Sequence, residues 1–185
     1  NKKVASIGTL GIKSKKYKKD LSNTTIDPIQ LSKILNKLKK QNINNVIMEA
    51  SSHGLSQNRL DGLLFNTGIF TNLSQDHLDY HKNTKNYLKA KLYLFEKLIK
   101  KRGNIITDEK IPEFKKIKNI ATNKNLNLFS LLDKKNNFQF LSHQYEHESQ
   151  LVEIKYKNSI HKIKLNLIGK VQFKNVLMAV IASIK

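Results

Sequence analysis

The 185-residue sequence contains no cysteine, so neither a disulfide framework nor a thiolate zinc site can form, and any metal must bind oxygen and nitrogen. Proline and glycine are scarce, at two and seven residues, while 39% of the residues are hydrophobic. A chain of this length and composition is typical of a folded protein with a real core, and we expect a single domain.

Long apolar runs are also missing. No stretch of about 18 apolar residues is present to span a bilayer, and the first ten residues lack the pattern of a secretion signal. We therefore expect a cytoplasmic protein without membrane insertion.

Acidic residues are few, at 14 against 34 lysines and arginines, which gives a formal charge of +20. Such a charge can indicate nucleic-acid binding. However, Arg59 and Arg102 are the only arginines, whereas base contacts and bidentate phosphate contacts favour arginine, and the lysines are scattered along the chain. A solvated basic surface is therefore favoured over a nucleic-acid interface, and the charge could equally attract a polyphosphate substrate.

The first 110 residues alternate between predicted strands and helices. Asp27 followed by Pro28 predicts a helix start, because aspartate caps free backbone N–H groups and proline suits the first helical position. A second helix is predicted over residues 84–101. This alternation predicts an α/β fold with a mostly parallel sheet and flanking helices. The predicted strands cover residues 3–12, 45–50, 67–73 and 103–107, with the second and third expected to be buried.

The pattern changes over residues 120–168, where short, partly alternating runs separated by polar turns predict a small antiparallel β meander. Residues 169–185 predict a closing helix that stops without a cap, turn or breaker. We therefore expect one domain over residues 1–185, truncated at both ends, whose parallel part covers residues 1–110. The runs of the meander cover residues 127–132, 137–143, 150–156 and 159–168.

The segment MEASSHGLSQNR, residues 48–59, follows a predicted strand end, which is where ligands gather in open parallel sheets. It supplies a carboxylate at Glu49, two hydroxyls, an imidazole, an amide and the isolated Arg59. A capped helix start, with Ser51 or Ser52 as the cap, explains the segment about equally well.

The segment NLSQDHLDYH, residues 72–81, follows the next predicted strand. His77 and His81 are four positions apart and could bind one metal from a helix face. No motif places a third protein ligand, and the glutamate of the common metalloprotease motif is absent. A buried histidine with satisfied hydrogen bonds is therefore the better interpretation of His81, and we interpret Asp76 and Asp79 as caps or turn residues.

Lys91 lies near the middle of the apolar arc of the predicted helix, counted at 100° per residue. A lysine in this position either extends its amine to the edge of the arc or is buried, and burial favours the neutral amine. A neutral amine is nucleophilic and can be modified. The arc comprises Tyr87, Leu88, Leu92, Leu94, Phe95, Leu98 and Ile99.

These three segments, in this order, resemble the central domain of the Mur ligases of peptidoglycan synthesis, and most closely the branch that adds the third amino acid of the peptide. Two further segments match the family with substitutions: Ile26 stands where proline is usual, and Val171 and Gln172 replace phenylalanine and asparagine. The matching segments are residues 22–31, 48–59, 70–81, 87–95 and 169–179.

The resemblance implies a P-loop NTPase-like central domain of an ATP-dependent carbon–nitrogen ligase. ATP would phosphorylate the terminal carboxylate of UDP-N-acetylmuramoyl-L-alanyl-D-glutamate, and the amine of diaminopimelate or lysine would attack the acyl phosphate. The implied cofactor is Mg²⁺, with ATP as co-substrate and a CO₂-derived carbamate on Lys91. The implied enzyme is a cytoplasmic monomer with no nucleic-acid partner.

Carried over by position, Glu49, His77 and Lys91 are implied to be catalytic metal ligands, and Asn175 is implied to contact the nucleotide. A carbamate turns a lysine from a cation into an anion, which explains an inward-facing lysine beside Mg²⁺. His53 could serve the substrate pocket, but the sequence assigns it no role. The residues implied to hold the UDP-linked substrate are Asn23, Thr24, Thr25, Ser51, Gln57 and Arg59.

The family's phosphate loop, a Gly-rich turn ending in Gly-Lys-Thr, is expected before Asn1. The segment GTLGIKS is not such a loop, because Ile12 separates Gly11 from Lys13. We therefore expect residues 1–185 alone to be inactive, since ATP would lack its cradle.

Three kinds of alternative remain open. Within the same fold, the chain could belong to another Mur-type ligase or to a folylpolyglutamate synthase. From a different class, a lysine-rich nucleic-acid-binding module would explain the charge but not Glu49, His77 and Lys91. A purely structural domain, such as a degenerate remnant of a ligase, is favoured over the nucleic-acid module but is itself a minor alternative, because the implied metal and substrate positions are intact.

Overall fold

The computed structural model describes residues 3–15, 17–74, 76–131, 138–167 and 169–185. The chain packs as two compact units, one formed by residues 1–63 with 75–94 and the other by residues 64–74 with 95–185. The assignment of the whole chain to one domain stays a prediction. Among the described residues, no helix is both long and apolar enough to cross a membrane.

The first unit contains a four-stranded sheet in the order β3-β2-β1-β4. Strands β1 and β4 pair in parallel, with Val4 opposite Asn45 and Ile7 opposite Met48, as the strand–helix–strand alternation predicts. Strands β2 and β3 extend the sheet in antiparallel orientation. The strands are β1 (Val4–Gly8), β2 (Gly11–Ser14), β3 (Lys18–Lys19) and β4 (Asn45–Met48).

Helix α1 (Pro28–Lys40) begins where the sequence predicts. The Asp27 side chain accepts hydrogen bonds from the backbone N–H groups of Ile29 and Gln30, which caps the helix. The helix buries one apolar stripe, and full burial of each such side chain contributes about 1.5–3 kcal/mol. The buried residues of this stripe are Leu31, Ile34 and Leu38.

The expected strand forms over Asn45–Met48, two residues shorter than predicted, and the prediction that it is buried is wrong. Strand β4 lies at the edge of its sheet, and Ile47 is 67% exposed. A short apolar run does not reveal whether a strand has neighbours on one side or on both, so the sequence cannot distinguish an edge from a central position.

The described residues of the first unit also form three short helices: α2 (Ser52–Ser56), α3 (Leu78–His81) and α4 (Thr84–Tyr93). A π-helical turn follows at Leu94–Leu98. The prediction that the helix continues to residue 101 is wrong, because Ile99 pairs with Phe65 and begins a strand of the second unit. Pairing with a neighbouring strand outweighs the local helical pattern at these positions.

The second unit contains a parallel sheet in the order β5-β6-β7, formed by β5 (Phe65–Phe70), β6 (Ile99–Thr107) and β7 (Asn127–Ser130). Helix α5 (Phe114–Asn123), which the sequence did not predict, connects β6 to β7. A helix between two parallel strands is the usual crossover connection. The mostly parallel sheet with flanking helices is confirmed.

The antiparallel meander is also confirmed, with corrected bounds. It consists of β8 (Phe138–Glu146), β9 (Ser149–Tyr156) and β10 (Ser159–Leu165). The predicted first run, residues 127–132, is wrong as a part of it, because β7 pairs in parallel with β6. A short, partly apolar run carries no information on strand direction. Residues 132, 137 and 168 of the predicted runs lie outside the described residues.

Helix α6 (Lys170–Ile184) is confirmed as the predicted closing helix. It buries one face in a cluster with β6 and the meander, and this cluster forms much of the core of the second unit. The buried members of the cluster are Ile106, Leu131, Val152, Ile154, Phe173, Leu177, Met178 and Ile181.

Candidate functional site

The carboxyl ends of the parallel strands β1 and β4 bring Thr9 and Glu49 together. The Glu49 N–H donates to the Ile7 carbonyl at 2.8 Å, which continues the strand pairing. Glu49 Oε2 accepts hydrogen bonds from Thr9 N at 2.8 Å and Thr9 Oγ1 at 2.9 Å. Glu49 Oε1 accepts no hydrogen bond from the described residues, so this oxygen is available to a ligand.

Gly8 makes room for this carboxylate. A Cβ atom at Gly8 would lie 2.6 Å from Glu49 Oε2, closer than any ordinary contact. Only glycine lets the Glu49 side chain lie against the end of β1.

Thr24 and Thr25 attach the loop before α1 to the same strand ends. Thr24 Oγ1 lies 3.0 Å from Thr9 Oγ1. Thr25 is 2% exposed, and its Oγ1 donates to the Glu49 carbonyl at 3.1 Å and accepts from Ser51 N at 2.9 Å. Three of the predicted substrate residues therefore lie around Glu49. Asn23, beside Thr24, is exposed.

Arg59 is oriented by two hydrogen bonds. Its Nη1 donates to the Thr25 carbonyl at 2.7 Å, and its Nη2 donates to Gln57 Oε1 at 2.5 Å. Gln57 Nε2 in turn donates to Tyr80 Oη at 3.0 Å. A guanidinium held in this way keeps further N–H donors for a carboxylate or phosphate.

His77 precedes α3 in a left-handed backbone conformation, with φ of 58° and ψ of 24°. This conformation costs a residue other than glycine about 1–3 kcal/mol and is found preferentially at functional sites. Asp76 Oδ1 accepts from His77 N at 2.9 Å, which is the turn role that the sequence predicts. The His77 side chain is 45% exposed, so its ring is accessible to a ligand.

His81 is buried, and its Nε2 lies 2.9 Å from Ser52 Oγ. Its ring stacks on Tyr87 at 5.1 Å between centroids. Burial, followed by the neighbouring charges of His53 and His77, lowers the pKa of His81 below its ordinary value of 6.5. His81 is thus the satisfied buried histidine that the sequence favours.

Lys91 is half-buried, between the two outcomes that the sequence left open. Its Nζ lies 5.1 Å from the centroid of the Tyr87 ring. The His77 ring meets the same tyrosine edge to face, at 5.9 Å between centroids. Two of the three predicted metal ligands therefore share one aromatic neighbour.

No group of three histidine, aspartate and glutamate side chains within the described residues is placed to hold a metal ion. The unmodified donors available are the Glu49 carboxylate and the His77 imidazole. Mg²⁺ prefers oxygen ligands and commonly takes one or two carboxylates, with waters and substrate phosphates completing its shell. The Glu49 carboxylate fits this preference, as a carbamate on Lys91 would, while the His77 nitrogen is the less usual ligand.

Asn175 lies in the second unit, on the second turn of α6, and is half-buried. Its neighbour Lys174 places Nζ 2.5 Å from Oδ2 of Asp108, a side chain that is 3% exposed. Asp108 directly follows β6, so this ion pair joins α6 to the end of a parallel strand.

The sequence interpretation missed Thr9, Tyr80 and Asp108. Thr9 and Asp108 each follow a strand of a parallel pair, so the rule that placed Glu49 could have found them. Tyr80 carries no such signal, because its role depends on a contact between two short helices.

A model of the Mur ligase middle domain matches residues 1–183. A UDP-N-acetylmuramoyl-L-alanyl-D-glutamate--2,6-diaminopimelate ligase of Zymomonas mobilis is 36% identical over 177 residues, which cover 96% of this chain and 36% of the relative. The corresponding ligase of Wigglesworthia glossinidia brevipalpis is 46% identical over 128 residues, covering 66% of this chain and 26% of the relative. The chain thus spans little more than a third of the length of the curated relatives it matches.

A solved structure of a 2,6-diaminopimelate ligase of this kind matches with a TM-score of 0.82 and 26% identity, covering 98% of this chain and 37% of that one. A mutant of L. casei FPGS matches with a TM-score of 0.63 and 12% identity, over 80% of this chain and 35% of that one. The second likeness is one of fold alone.

Proposed function

Because the chain belongs to the Mur ligase family, we propose that it is the middle part of an ATP-dependent ligase that adds the third amino acid to UDP-N-acetylmuramoyl-L-alanyl-D-glutamate in peptidoglycan synthesis. The observation that carries this proposal is the hydrogen-bonded group at the ends of β1 and β4. There, Glu49 and Thr25 are joined to each other and, through the Thr25 carbonyl, to Arg59.

The substrate side of this group is built to bind an anion. Arg59 is held in one orientation, and Thr24 and Thr25 present a loop fixed to the strand ends. We assign Arg59 to an anionic group of the UDP-linked substrate, and Asn23, Ser51 and Gln57 to its polar groups.

We propose Glu49, His77 and Lys91 as the ligands of Mg²⁺. Bound there, Mg²⁺ would neutralise charge on the transferring phosphoryl group. The half-buried position of Lys91 supports the proposal of a carbamate. Addition of CO₂ to the neutral amine forms an N–C bond, releases one proton and leaves an anion.

The proposed reaction has two steps. The terminal carboxylate of the dipeptide attacks the γ-phosphorus of ATP and releases ADP, and the amine of the incoming amino acid then attacks the acyl carbon and releases phosphate. We assign Asn175 to the nucleotide. Diaminopimelate is the first amino acid to test, because the relatives are named for it, and lysine is the second. A cytoplasmic location and a monomeric state stay predictions.

The function is tested with the full-length protein that carries these residues. It is incubated with ATP, Mg²⁺, the UDP-linked dipeptide and either diaminopimelate or lysine, and the products are identified by mass spectrometry. An amide product formed together with phosphate supports the proposal. Phosphate release that requires a folate or a UDP-linked tripeptide instead would assign the protein to another ligase of this fold.

The role of Lys91 is tested by Lys91→Ala, with Lys89→Ala as the matched control. Lys89 lies on the same helix and is exposed. We expect Lys91→Ala to lower turnover about 100- to 1,000-fold, as for the loss of one charged transition-state partner, and a short-chain carboxylic acid to restore part of it. Lys89→Ala should keep normal turnover. Normal turnover of Lys91→Ala would contradict the assignment.

A further inference from the structure

The helix that carries Asn175 begins beside a fully buried amide. Gln150, on β9 of the meander, is 0% exposed. Its Nε2 donates to the backbone carbonyls of Leu167 and of Gly169, the latter at 3.5 Å. These two carbonyls belong to the segment that leads into α6.

The remaining polar atom of this amide is also used. Gln150 Oε1 lies 2.7 Å from His143 Nε2. Since the amide nitrogen already donates twice, Oε1 is the acceptor and the histidine nitrogen donates. The His143 ring stacks on Phe173, in the first turn of α6, at 4.9 Å between centroids and 19° between planes. Every hydrogen-bonding group of the buried amide is therefore satisfied, which fixes its orientation.

The start of α6 has no local support of this kind. Its cap position is Gly169, with φ of 108° and no side chain to accept a hydrogen bond from the first turn. The amide nitrogen of the Gln150 side chain takes no part in the pairing of β9, because that pairing uses backbone groups. Its two donors serve only the segment before the helix.

We propose that Gln150 is a positioning residue for nucleotide binding, because it fixes the start of α6 and thereby the place of Asn175 on the next turn. This inference rests on the proposed function. A displacement of about 1 Å at a binding group can cost on the order of 100-fold, so a loose helix start would weaken nucleotide binding measurably.

The test uses two variants of the full-length protein, Gln150→Leu and the isosteric Gln150→Glu. The second variant replaces the Nε2 group, which donates both hydrogen bonds, by an oxygen that faces the carbonyls of Leu167 and Gly169. The control is Ile117→Ala, on α5 of the same unit, where Ile117 is 0% exposed and lies outside the cluster that packs on α6. The kcat, the KM for ATP, the KM for the UDP-linked substrate and the Tm are measured for each variant.

We expect both Gln150 variants to raise the KM for ATP about tenfold or more, with little change in the KM for the UDP-linked substrate. Ile117→Ala should lower the Tm and leave both KM values unchanged. An unchanged KM for ATP in Gln150→Glu would overturn the inference and leave Gln150 a structural residue. If Gln150→Leu does not fold, Gln150→Glu decides the question.

Failure of the proposed function is a separate outcome, seen as a wild-type protein without ATP-dependent amide formation. In that case hydrogen exchange of residues 170–176 decides whether Gln150 positions α6. Faster exchange there in Gln150→Glu than in Ile117→Ala supports the positioning role, and equal exchange in the two variants overturns it.

Discussion

Replacing Gly54 by alanine is expected to destabilise the first unit, although alanine is the better helix former. Gly54 is buried in α2. A Cβ atom added there would lie 2.5 Å from both Cβ and Cγ2 of Thr25, much shorter than the ordinary contact distances of 3.4–4 Å. Thr25 must therefore move, and it is the residue that joins the loop before α1 to Glu49 and Ser51.

The expected magnitude follows from three effects of different sign. Alanine gains about 1 kcal/mol over glycine inside a helix. Overpacking a closely packed site costs about 1–3 kcal/mol, and each hydrogen bond that Thr25 loses costs about 1 kcal/mol. If Thr25 loses one of its two Oγ1 hydrogen bonds, we expect the free energy of unfolding to fall by about 1–3 kcal/mol.

The assay combines thermal unfolding with hydrogen exchange of the Ser51 amide, which donates to Thr25 Oγ1. Gly54→Ala should lower the Tm and speed exchange at Ser51. The control is Ser32→Ala, at an exposed position of α1, which changes helix propensity without a new contact. If Gly54→Ala is as stable as Ser32→Ala and Ser51 exchanges at the wild-type rate, the steric argument is refuted.

Two further predictions concern charged groups. The hydrogen bond to the Asp61 carboxylate, and then burial, raise the pKa of Tyr93 above its ordinary value of 10.0. The stabilisation from this pair is therefore complete below pH 10 and lost as the pH rises through the folded-state pKa, and Asp61→Asn should return the NMR titration of Tyr93 toward 10.0. Lys174→Met leaves the buried Asp108 without its cation. We expect a loss of about 1–3 kcal/mol on urea unfolding, less than for a fully buried pair because the Lys174 side chain is 40% exposed, and unchanged stability would contradict this.

The parts of the fold that the sequence predicts are those decided locally. The start of α1 is predictable because Asp27 and Pro28 are cap signals that act within one turn. The direction of β7 and the exposure of β4 are decided by neighbouring strands, and no residue within either run records them. The end of the helical segment at Leu98 is also decided by a neighbouring strand, because Ile99 pairs with Phe65 of β5.

The residues of the candidate site also divide into those that could be predicted from the local sequence and those that could not. Glu49 could be predicted because it ends a strand of a parallel pair. Thr9 holds its carboxylate, and Tyr80 holds Gln57, through contacts between segments far apart in the sequence. The role of Gln150 could not be predicted from the sequence either, because an isolated glutamine in a strand gives no sign of the helix it supports.

The two hydrogen bonds of Thr25 Oγ1 have a consequence for ligand binding. One side chain connects the loop before α1 to the backbone of Glu49, so a ligand that orders one of them also acts on the other. On the proposed function, a UDP-linked substrate that orders the loop would also prepare Glu49 for Mg²⁺. Thermodynamic linkage then requires Mg²⁺ to strengthen substrate binding by the same factor, so the two ligands would bind cooperatively.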